Sequence, residues 1–290
     1  MSFLIPLMGG PIGVISFIYN SFDKCKPPAS LGYGWNSQGS SKLVEQANGD
    51  LVYRNEGGFT LRWTEDNGIY TPFTSDNYVK AESLGNPGPP FRLTFRNQSQ
   101  LTFDSNGRLT ARTDRNGNTI TYTYANGLLD EVSDSKGRTL YYDYGTRVDG
   151  QPVGIRAHSR TTGRLVQLEY TGSLLRRITD PENHVTEFEY DQNSRLSKVT
   201  QVRPMRTDIT TQYTYDAYGQ LLEENHQGVM LKRHNRWPHF EALFEGEANP
   251  AWTPLDQGVP DYDNERLYYQ LRDFEGRVIH SGTNYTRPIF

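Results

Sequence analysis

The sequence repeats itself with a period of about 20 residues, and this period restricts the possible folds more than any other feature. Tyr124 and Tyr144 are 20 residues apart, and so are Asp114 and Asp134. The sequences around the two members of each pair are similar, with glycine, threonine and further tyrosine at matching positions. A chain with such a period is predicted to fold as stacked copies of one small unit, each burying its apolar face against its neighbours.

Each repeat is predicted to contain two short strands and two tight turns. Residues 119–124 alternate threonine with isoleucine or tyrosine, a pattern typical of a half-buried strand. Residues 114–117 and 134–137 begin with aspartate and end with glycine. Aspartate accepts hydrogen bonds from the turn backbone, and glycine adopts positive φ without strain. The repeats therefore predict an all-β fold, a strongly curved antiparallel sheet of stacked β-hairpins.

The composition is that of a folded chain, and it argues against partners that bind mainly by electrostatic attraction. The 290 residues include 19 Tyr, 13 Phe and 4 Trp, and disordered chains lack this supply of aromatic side chains. The net charge is only −4, from 30 basic and 34 acidic residues. Such a balance argues against nucleic acid as a partner, and no segment is apolar for long enough to predict membrane insertion.

The chain outside the repeats is predicted to be organised differently. Residues 1–100 contain hairpin-like strands without a fixed period, residues 101–236 form the repeat sheet, and residues 237–290 combine an irregular proline-rich segment with C-terminal capping strands. Near the N-terminus, a Gly/Pro-rich lead-in is predicted to precede a buried first strand at Ile12–Tyr19. No helix longer than two turns is predicted.

Few residues suggest a catalytic or metal-binding site. His234, His239 and Glu241 could ligate a metal, but a polar loop explains this segment better. Cys25 lies between two lysines and is interpreted as a passive loop residue. The repeat aspartates resemble paired catalytic or calcium-binding carboxylates, although their turn positions favour a structural role. We therefore expect no catalytic site, metal or cofactor.

Arginines follow several of the turns. Arg108, Arg138, Arg164 and Arg195 could pair with the turn carboxylates, but a solvated face is the interpretation that their positions favour. The recurring aromatic residues could stack sugars, with Tyr142, Tyr170 and Tyr190 as candidate glycan-stacking residues, although cross-strand packing is the more ordinary role.

Several motifs resemble the tyrosine–aspartate (YD) repeats of the Rhs family. They are Tyr190–Leu196, with the sequence YDQNSRL, Tyr215–Leu221, with the sequence YDAYGQL, and Ile178–Pro181. The segments Pro11–Ser21 and Leu31–Trp35 are similar to the N-terminal part of an Rhs core. This resemblance implies a β-sheet of the kind that encloses toxins in Rhs, Tc and teneurin proteins. Because family shells contain more repeats than the roughly six recognisable here, an open or partial β-cocoon or solenoid is expected.

The resemblance leads us to expect a non-catalytic scaffold, a shell wall that encloses a partner or assembles by edge-strand pairing. The chain is interpreted as a fragment of a longer protein, a shortened relative, or a subunit that completes a larger sheet. Expected partners are copies of itself, further YD-repeat chains or a toxin cargo, in a secreted or cell-surface setting. The alternatives are a glycan-binding or adhesion module, including a subunit of an extracellular filament, and an enzyme on a sheet face.

Unpaired strand edges invite pairing with another chain. The predicted assembly edges lie near both ends of the chain. They comprise Ile12, Val14, Phe17, Tyr19, Leu267, Tyr269, Ile289 and Phe290.

Overall fold

A computed structural model confirms that the protein is all-β. It describes residues 2–22, 31–75, 77–85, 89–145, 150–237, 240–245, 266–272 and 278–283. These ranges contain 25 strands and no α-helix, and within them no helix has the length and apolar character that a membrane crossing requires. The chain divides into two compact units, Met1–His184 and Val185–Phe290. The domain boundaries predicted after residues 100 and 236 stay predictions.

The first unit begins with a small three-stranded antiparallel sheet. Its strands are β1 (Ser2–Pro6), β2 (Val14–Tyr19) and β3 (Trp35–Asn36), in the order β1-β2-β3. The predicted lead-in is therefore wrong for Ser2–Pro6, which forms a strand because Phe3 and Ile5 pair with β2 and turn their side chains toward the interior. Phe3 stacks on Phe17, with ring centroids 4.9 Å apart.

A second antiparallel sheet follows, made of four strands in sequence order. These are β4 (Lys42–Glu45), β5 (Leu51–Arg54), β6 (Thr60–Asp66) and β7 (Ile69–Pro72). Leu43, Leu51 and Trp63 are buried on one face of this sheet. Antiparallel pairing joins each of these strands to the next, so the hairpin-like strands expected in this part of the chain are present.

The repeats of the first unit form a ten-stranded antiparallel meander, in which each strand pairs with the next along the chain. Its strands are β8 (Lys80–Ser83), β9 (Phe91–Thr94), β10 (Gln100–Phe103), β11 (Leu109–Thr113), β12 (Thr119–Ala125), β13 (Leu128–Asp134), β14 (Thr139–Asp143), β15 (Gly154–Ala157), β16 (Leu165–Thr171) and β17 (Leu174–Thr179). Sequence neighbours are also spatial neighbours, as stacked hairpins require.

Side chains alternate between the two faces of this meander, as the strand pattern predicted. Tyr122 is buried and lies opposite Val132, which in turn lies opposite Leu140. On the other face, Thr121 and Thr123 of the same strand are exposed. The apolar side chains of neighbouring strands thus form continuous rows on one face, and this burial supplies the main favourable free energy of the sheet.

The two N-terminal sheets pack on the apolar face of the meander. The rings of Tyr53 and Phe103 make an edge contact with centroids 5.9 Å apart. The Leu43 N–H donates to the Gly107 carbonyl at 3.0 Å, and the Tyr122 hydroxyl donates to the Gln38 carbonyl at 3.2 Å. The core of the first unit lies between these layers.

The second unit is an antiparallel meander of eight strands. These are β18 (Val185–Tyr190), β19 (Leu196–Val202), β20 (Ile209–Tyr215), β21 (Leu221–His226), β22 (Val229–Trp237), β23 (Phe240–Glu245), β24 (Arg266–Arg272) and β25 (Val278–Thr283). The prediction of an irregular segment is wrong for Phe240–Glu245, which pairs with both β22 and β24. Four of its six residues are apolar and none is proline, so it is a short apolar run compatible with a strand, although prolines flank it in the sequence.

Candidate functional site

The most regular feature of the molecule is the aspartate turn, which recurs with the same hydrogen bonds in both units. The Asp134 Oδ1 atom accepts from the backbone N–H groups of Lys136 and Arg138 at 2.9 and 3.1 Å. The fourth residue of the turn, Gly137, has a φ of 76°. The aspartates with this geometry are Asp104, Asp114, Asp134, Asp180, Asp191 and Asp216. Their predicted role as turn stabilisers is confirmed.

The arginine after the turn is bound to the turn aspartate in three of these repeats. Arg138 donates from Nε to Asp134 Oδ2 at 2.7 Å, and its Nη2 lies 2.6 Å from the same oxygen. Arg108 and Arg195 make the equivalent contact with their own aspartates. The solvated interpretation is therefore wrong for these arginines, because a neighbouring carboxylate offers a charged acceptor at a fixed spacing of four residues. Arg164 instead pairs with Glu182.

Some of these arginines also contact the tyrosine of the next repeat. The Arg108 guanidinium lies 4.5 Å from the centroid of the Tyr124 ring, and the Tyr124 hydroxyl donates to the Leu109 carbonyl at 2.8 Å. In the second unit, Arg195 and Tyr215 are related in the same way, with a ring distance of 4.9 Å. We call this arrangement of aspartate, arginine and next-repeat tyrosine the repeat interlock. At these two positions the ring contact and the tyrosine hydrogen bond hold a hairpin to its neighbour, while the aspartate fixes the arginine by charge.

The ionisation of the turn aspartates and of the buried tyrosines follows from these contacts and from burial. Burial by itself raises the pKa of Asp134, but the bonds from Arg138 and from two backbone N–H groups outweigh it, so that the pKa lies below its usual value. The pKa of Asp191 is lowered in the same way. Burial raises the pKa of the Tyr124 hydroxyl above its usual value and that of Tyr122 to about 12. At neutral pH the aspartates are thus charged and the tyrosines neutral.

The structure places the predicted N-terminal assembly edge inside the molecule. Strand β2 pairs with β1 along one edge and with β3 along the other at Ile18 and Tyr19, so it lies in the middle of the small sheet. Ile12, Phe17 and Tyr19 are buried, whereas Val14 is 38% exposed. This is a correction: the apolar alternation of β2 arises from burial in the small sheet, and the outer edge belongs to β1.

The predicted C-terminal edge is only partly within the described residues. Leu267 and Tyr269 lie in β24, which pairs with β23 and β25. Ile289 and Phe290 lie outside the described residues, as do Cys25 and His239. An assembly role for this end of the chain stays a prediction.

The candidate glycan-stacking tyrosines differ in accessibility. Tyr142 is 3% exposed, so its ring packs inside the first unit and offers no surface to a sugar. This part of the prediction is wrong, because cross-strand packing of Tyr142 opposite Ile155 uses the ring. Tyr170 and Tyr190 are half-buried, and a stacking role for them stays a prediction.

One group of potential metal ligands was missed by sequence reasoning. Asp180, Glu182 and His184 bring their ligand atoms within 4.8 Å of one another. His184 occupies the turn position that arginine takes elsewhere, and its Nδ1 lies 2.9 Å from Asp180 Oδ2. Because Glu182 pairs with Arg164 and His184 is exposed, the group is explained as a further aspartate turn.

Comparison with known proteins gives one family match. Residues 103–139 match the model of the family described as RHS Repeat. This range contains the turns of Asp104, Asp114 and Asp134, and therefore the arginine contacts on which the repeat interlock depends. No curated protein is detectably similar to the chain.

Three of the solved structures that resemble the chain are the following. The crystal structures of TcdB2-TccC3-TEV and TcdB2-TccC3-Cdc42 are 14% and 15% identical to it, with TM-scores of 0.40 and 0.41; each match covers 84% of this chain and 14% of the other. The Photorhabdus luminescens Tc holotoxin pore with the TccC3 mutation D651A is 14% identical, with a TM-score of 0.39 and coverages of 83% and 14%. The chain thus spans about one seventh of the length of these structures.

Proposed function

We propose, from the match of residues 103–139 to the RHS Repeat family, that the function of this chain is structural: it supplies part of the wall of a β-shell and carries out no reaction of its own. The shell would enclose a partner, such as a toxin cargo, and would be completed by further copies or by other YD-repeat chains. A secreted or cell-surface setting belongs to the same proposal.

The aspartate turns, together with the repeat interlock, support this proposal. The polar residues that recur in the sequence, aspartate, arginine and tyrosine, are those an active site would use, but here they bind one another. Asp134 has a side chain that is only 2% exposed, and both of its oxygens accept hydrogen bonds from its own turn. Residues engaged in this way stabilise a continuous sheet, which is the requirement for a wall.

Assembly is proposed to use the outer edge of β1. The Leu7 N–H donates to the Gly13 carbonyl at 2.7 Å, so the N–H groups of Ile5 and Phe3 also face β2. The N–H of Leu4 therefore points away from β2, and its side chain is 65% exposed. An outward N–H and carbonyl on an edge strand are the groups that pair with an added strand.

The variant Leu4→Pro tests this edge, because proline removes the outward N–H while leaving the bonds between β1 and β2 intact. The matched control is Leu4→Ala, which keeps the N–H and removes only the exposed side chain. Light scattering over a range of concentrations is expected to show a mass above that of one chain for the parent and for Leu4→Ala, and a single-chain mass for Leu4→Pro. A parent protein with a single-chain mass throughout would refute assembly by this chain alone.

Electron microscopy of the purified protein tests the shell itself. Closed or partly closed particles containing several chains would support the wall proposal. Fibres would instead support the alternative of a filament subunit, and uniform single-chain particles would contradict both. Limited proteolysis of a co-expressed cargo, with and without this chain, then measures whether the particle encloses it.

A further inference from the structure

We propose that a cleft in the first unit binds an organic monoanion, namely a carboxylate carried on an apolar body. The cleft has a volume of about 580 Å³, within the range of small-molecule sites. It lies where the hairpin tip at Asn55 and Glu56 meets the turns that begin at Asp114 and Asp134. This inference is independent of the structural function proposed above.

The acidic groups of the cleft already have partners. Asp134 is bound by Arg138 and by backbone N–H groups, and Asp114 accepts from Asn118 and from two backbone N–H groups. Glu56 accepts a hydrogen bond of 2.9 Å from Arg112 Nη2. The cleft therefore offers few free acceptors to a ligand, and a cation would find its carboxylates occupied.

Hydrogen-bond donors, in contrast, are in excess. Arg112 gives Nη2 to Glu56, but its side chain is 40% exposed and has no second acceptor among the described residues. Lys136 is exposed at the rim, and its ammonium has no carboxylate within ion-pair distance in the described part of the chain. A carboxylate with its two oxygens is the acceptor that fits an arginine and a nearby ammonium.

The charges of the cleft select a monoanion. Its ionisable lining residues are Glu56, Asp114, Asp134, Arg112, Lys136 and Arg138. Three acids and three bases give a formal charge of zero, so one added negative charge meets the free donors without a large repulsion. A dianion such as a phosphate monoester would place a second negative charge beside three carboxylates.

The remaining walls require an apolar body on the ligand. Pro11, Phe95 and Ile120 line the cleft beside the charged groups. A ring or an alkyl chain attached to the carboxylate would cover these side chains and gain from their removal from water. Acetate, which has no such body, is expected to bind much more weakly than an aromatic carboxylate.

Benzoate serves as the test ligand for the full chain, benzamide as its neutral isostere and acetate as the anion without a ring. Calorimetric titration is expected to detect benzoate, with benzamide and acetate each at least about tenfold weaker. Lys136→Gln is expected to weaken benzoate about threefold, and Arg112→Lys, which keeps a cation beside Glu56, about tenfold. The matched control Lys42→Gln removes an exposed lysine outside the cleft and should change nothing.

The outcomes separate the proposal from simpler explanations. Equal binding of benzoate and benzamide would reduce the cleft to an apolar groove and overturn the anion site. Benzoate binding that survives both Lys136→Gln and Arg112→Lys would place the ligand elsewhere and also overturn it. If Arg112→Lys fails to fold, as judged by circular dichroism, the Lys136→Gln result and nuclear magnetic resonance shifts at the Lys136 side chain decide the question.

Discussion

At the scale of single residues, the aspartate turn combines two kinds of contact that contribute differently to stability. The backbone N–H groups of the turn bind Oδ1, whereas the arginine four residues later binds Oδ2. In the turn of Asp114, the position of the arginine is taken by Asn118, whose Nδ2 donates to Asp114 Oδ2 at 2.8 Å. The two turns therefore separate the contribution of charge from that of the turn geometry.

We predict that Asp134→Asn lowers the free energy of unfolding by about 1–2 kcal/mol, because Arg138 loses a charged acceptor while the asparagine Oδ1 still caps the turn. Asp114→Asn is expected to cost clearly less, since Oδ2 of Asp114 accepts from the neutral Asn118 side chain and not from an arginine. Urea unfolding followed by circular dichroism measures both changes. Equal losses in the two variants would mean that the arginine contact contributes nothing.

The same carboxylates make stability depend on acid pH. The pKa values of Asp104, Asp134 and Asp191 are lowered in the folded state, so their stabilisation is complete above the unfolded pKa of about 3.9 and is lost as the pH falls through the folded values. We expect Tm to fall steeply below about pH 4. The fall should be shallower for Asp134→Asn, and parallel curves for the parent and the variant would contradict this explanation.

At the scale of strands and hairpins, some turns of the meander also form the surface on which the N-terminal sheets pack. Gly107 closes a turn between β10 and β11, and its carbonyl accepts from the Leu43 N–H at the start of β4. A Cβ atom at Gly107 would lie 1.9 Å from the Leu43 carbonyl oxygen. Gly117 has a similar φ, 84° against 69°, but open space around it.

This pair of glycines predicts two different responses to alanine. Gly117→Ala is expected to cost about 1–2 kcal/mol from the left-handed backbone alone. Gly107→Ala should cost at least about 2 kcal/mol more, because β4 must move away from the turn. Thermal unfolding measures the difference, and similar losses in both variants would contradict the packing of β4 against this turn.

At the scale of the whole molecule, the first unit is one packed body rather than a repeat sheet with loose additions. The small sheet of β1–β3 contributes Phe17 and Trp35, both fully buried. The segment after β2 also reaches the far end of the meander, where the Tyr33 N–H donates to the Ser173 carbonyl at 3.0 Å. The N-terminal residues thus belong to the same core as the repeats.

Phe17→Ala is therefore expected to destabilise the repeats of the first unit and not only the small sheet. The cost should be about 3–5 kcal/mol, since the ring is fully buried and stacked on Phe3. Hydrogen exchange should accelerate in β12 to β17, whereas the exposed control Leu4→Ala should leave it unchanged. Acceleration confined to β1–β3 would mean that the small sheet unfolds by itself.

The all-β class, the hairpin repeats and the role of the turn aspartates were predictable from the sequence, because these depend on contacts between residues only a few positions apart. Which side chains and strands pack against one another was visible only in the tertiary structure. It buried Tyr142, enclosed β2 between two strands and brought Arg108 to a tyrosine 16 residues later. The cleft lined by Arg112 and Lys136 likewise forms where separate hairpins converge. No local sequence pattern predicts which hairpins do so.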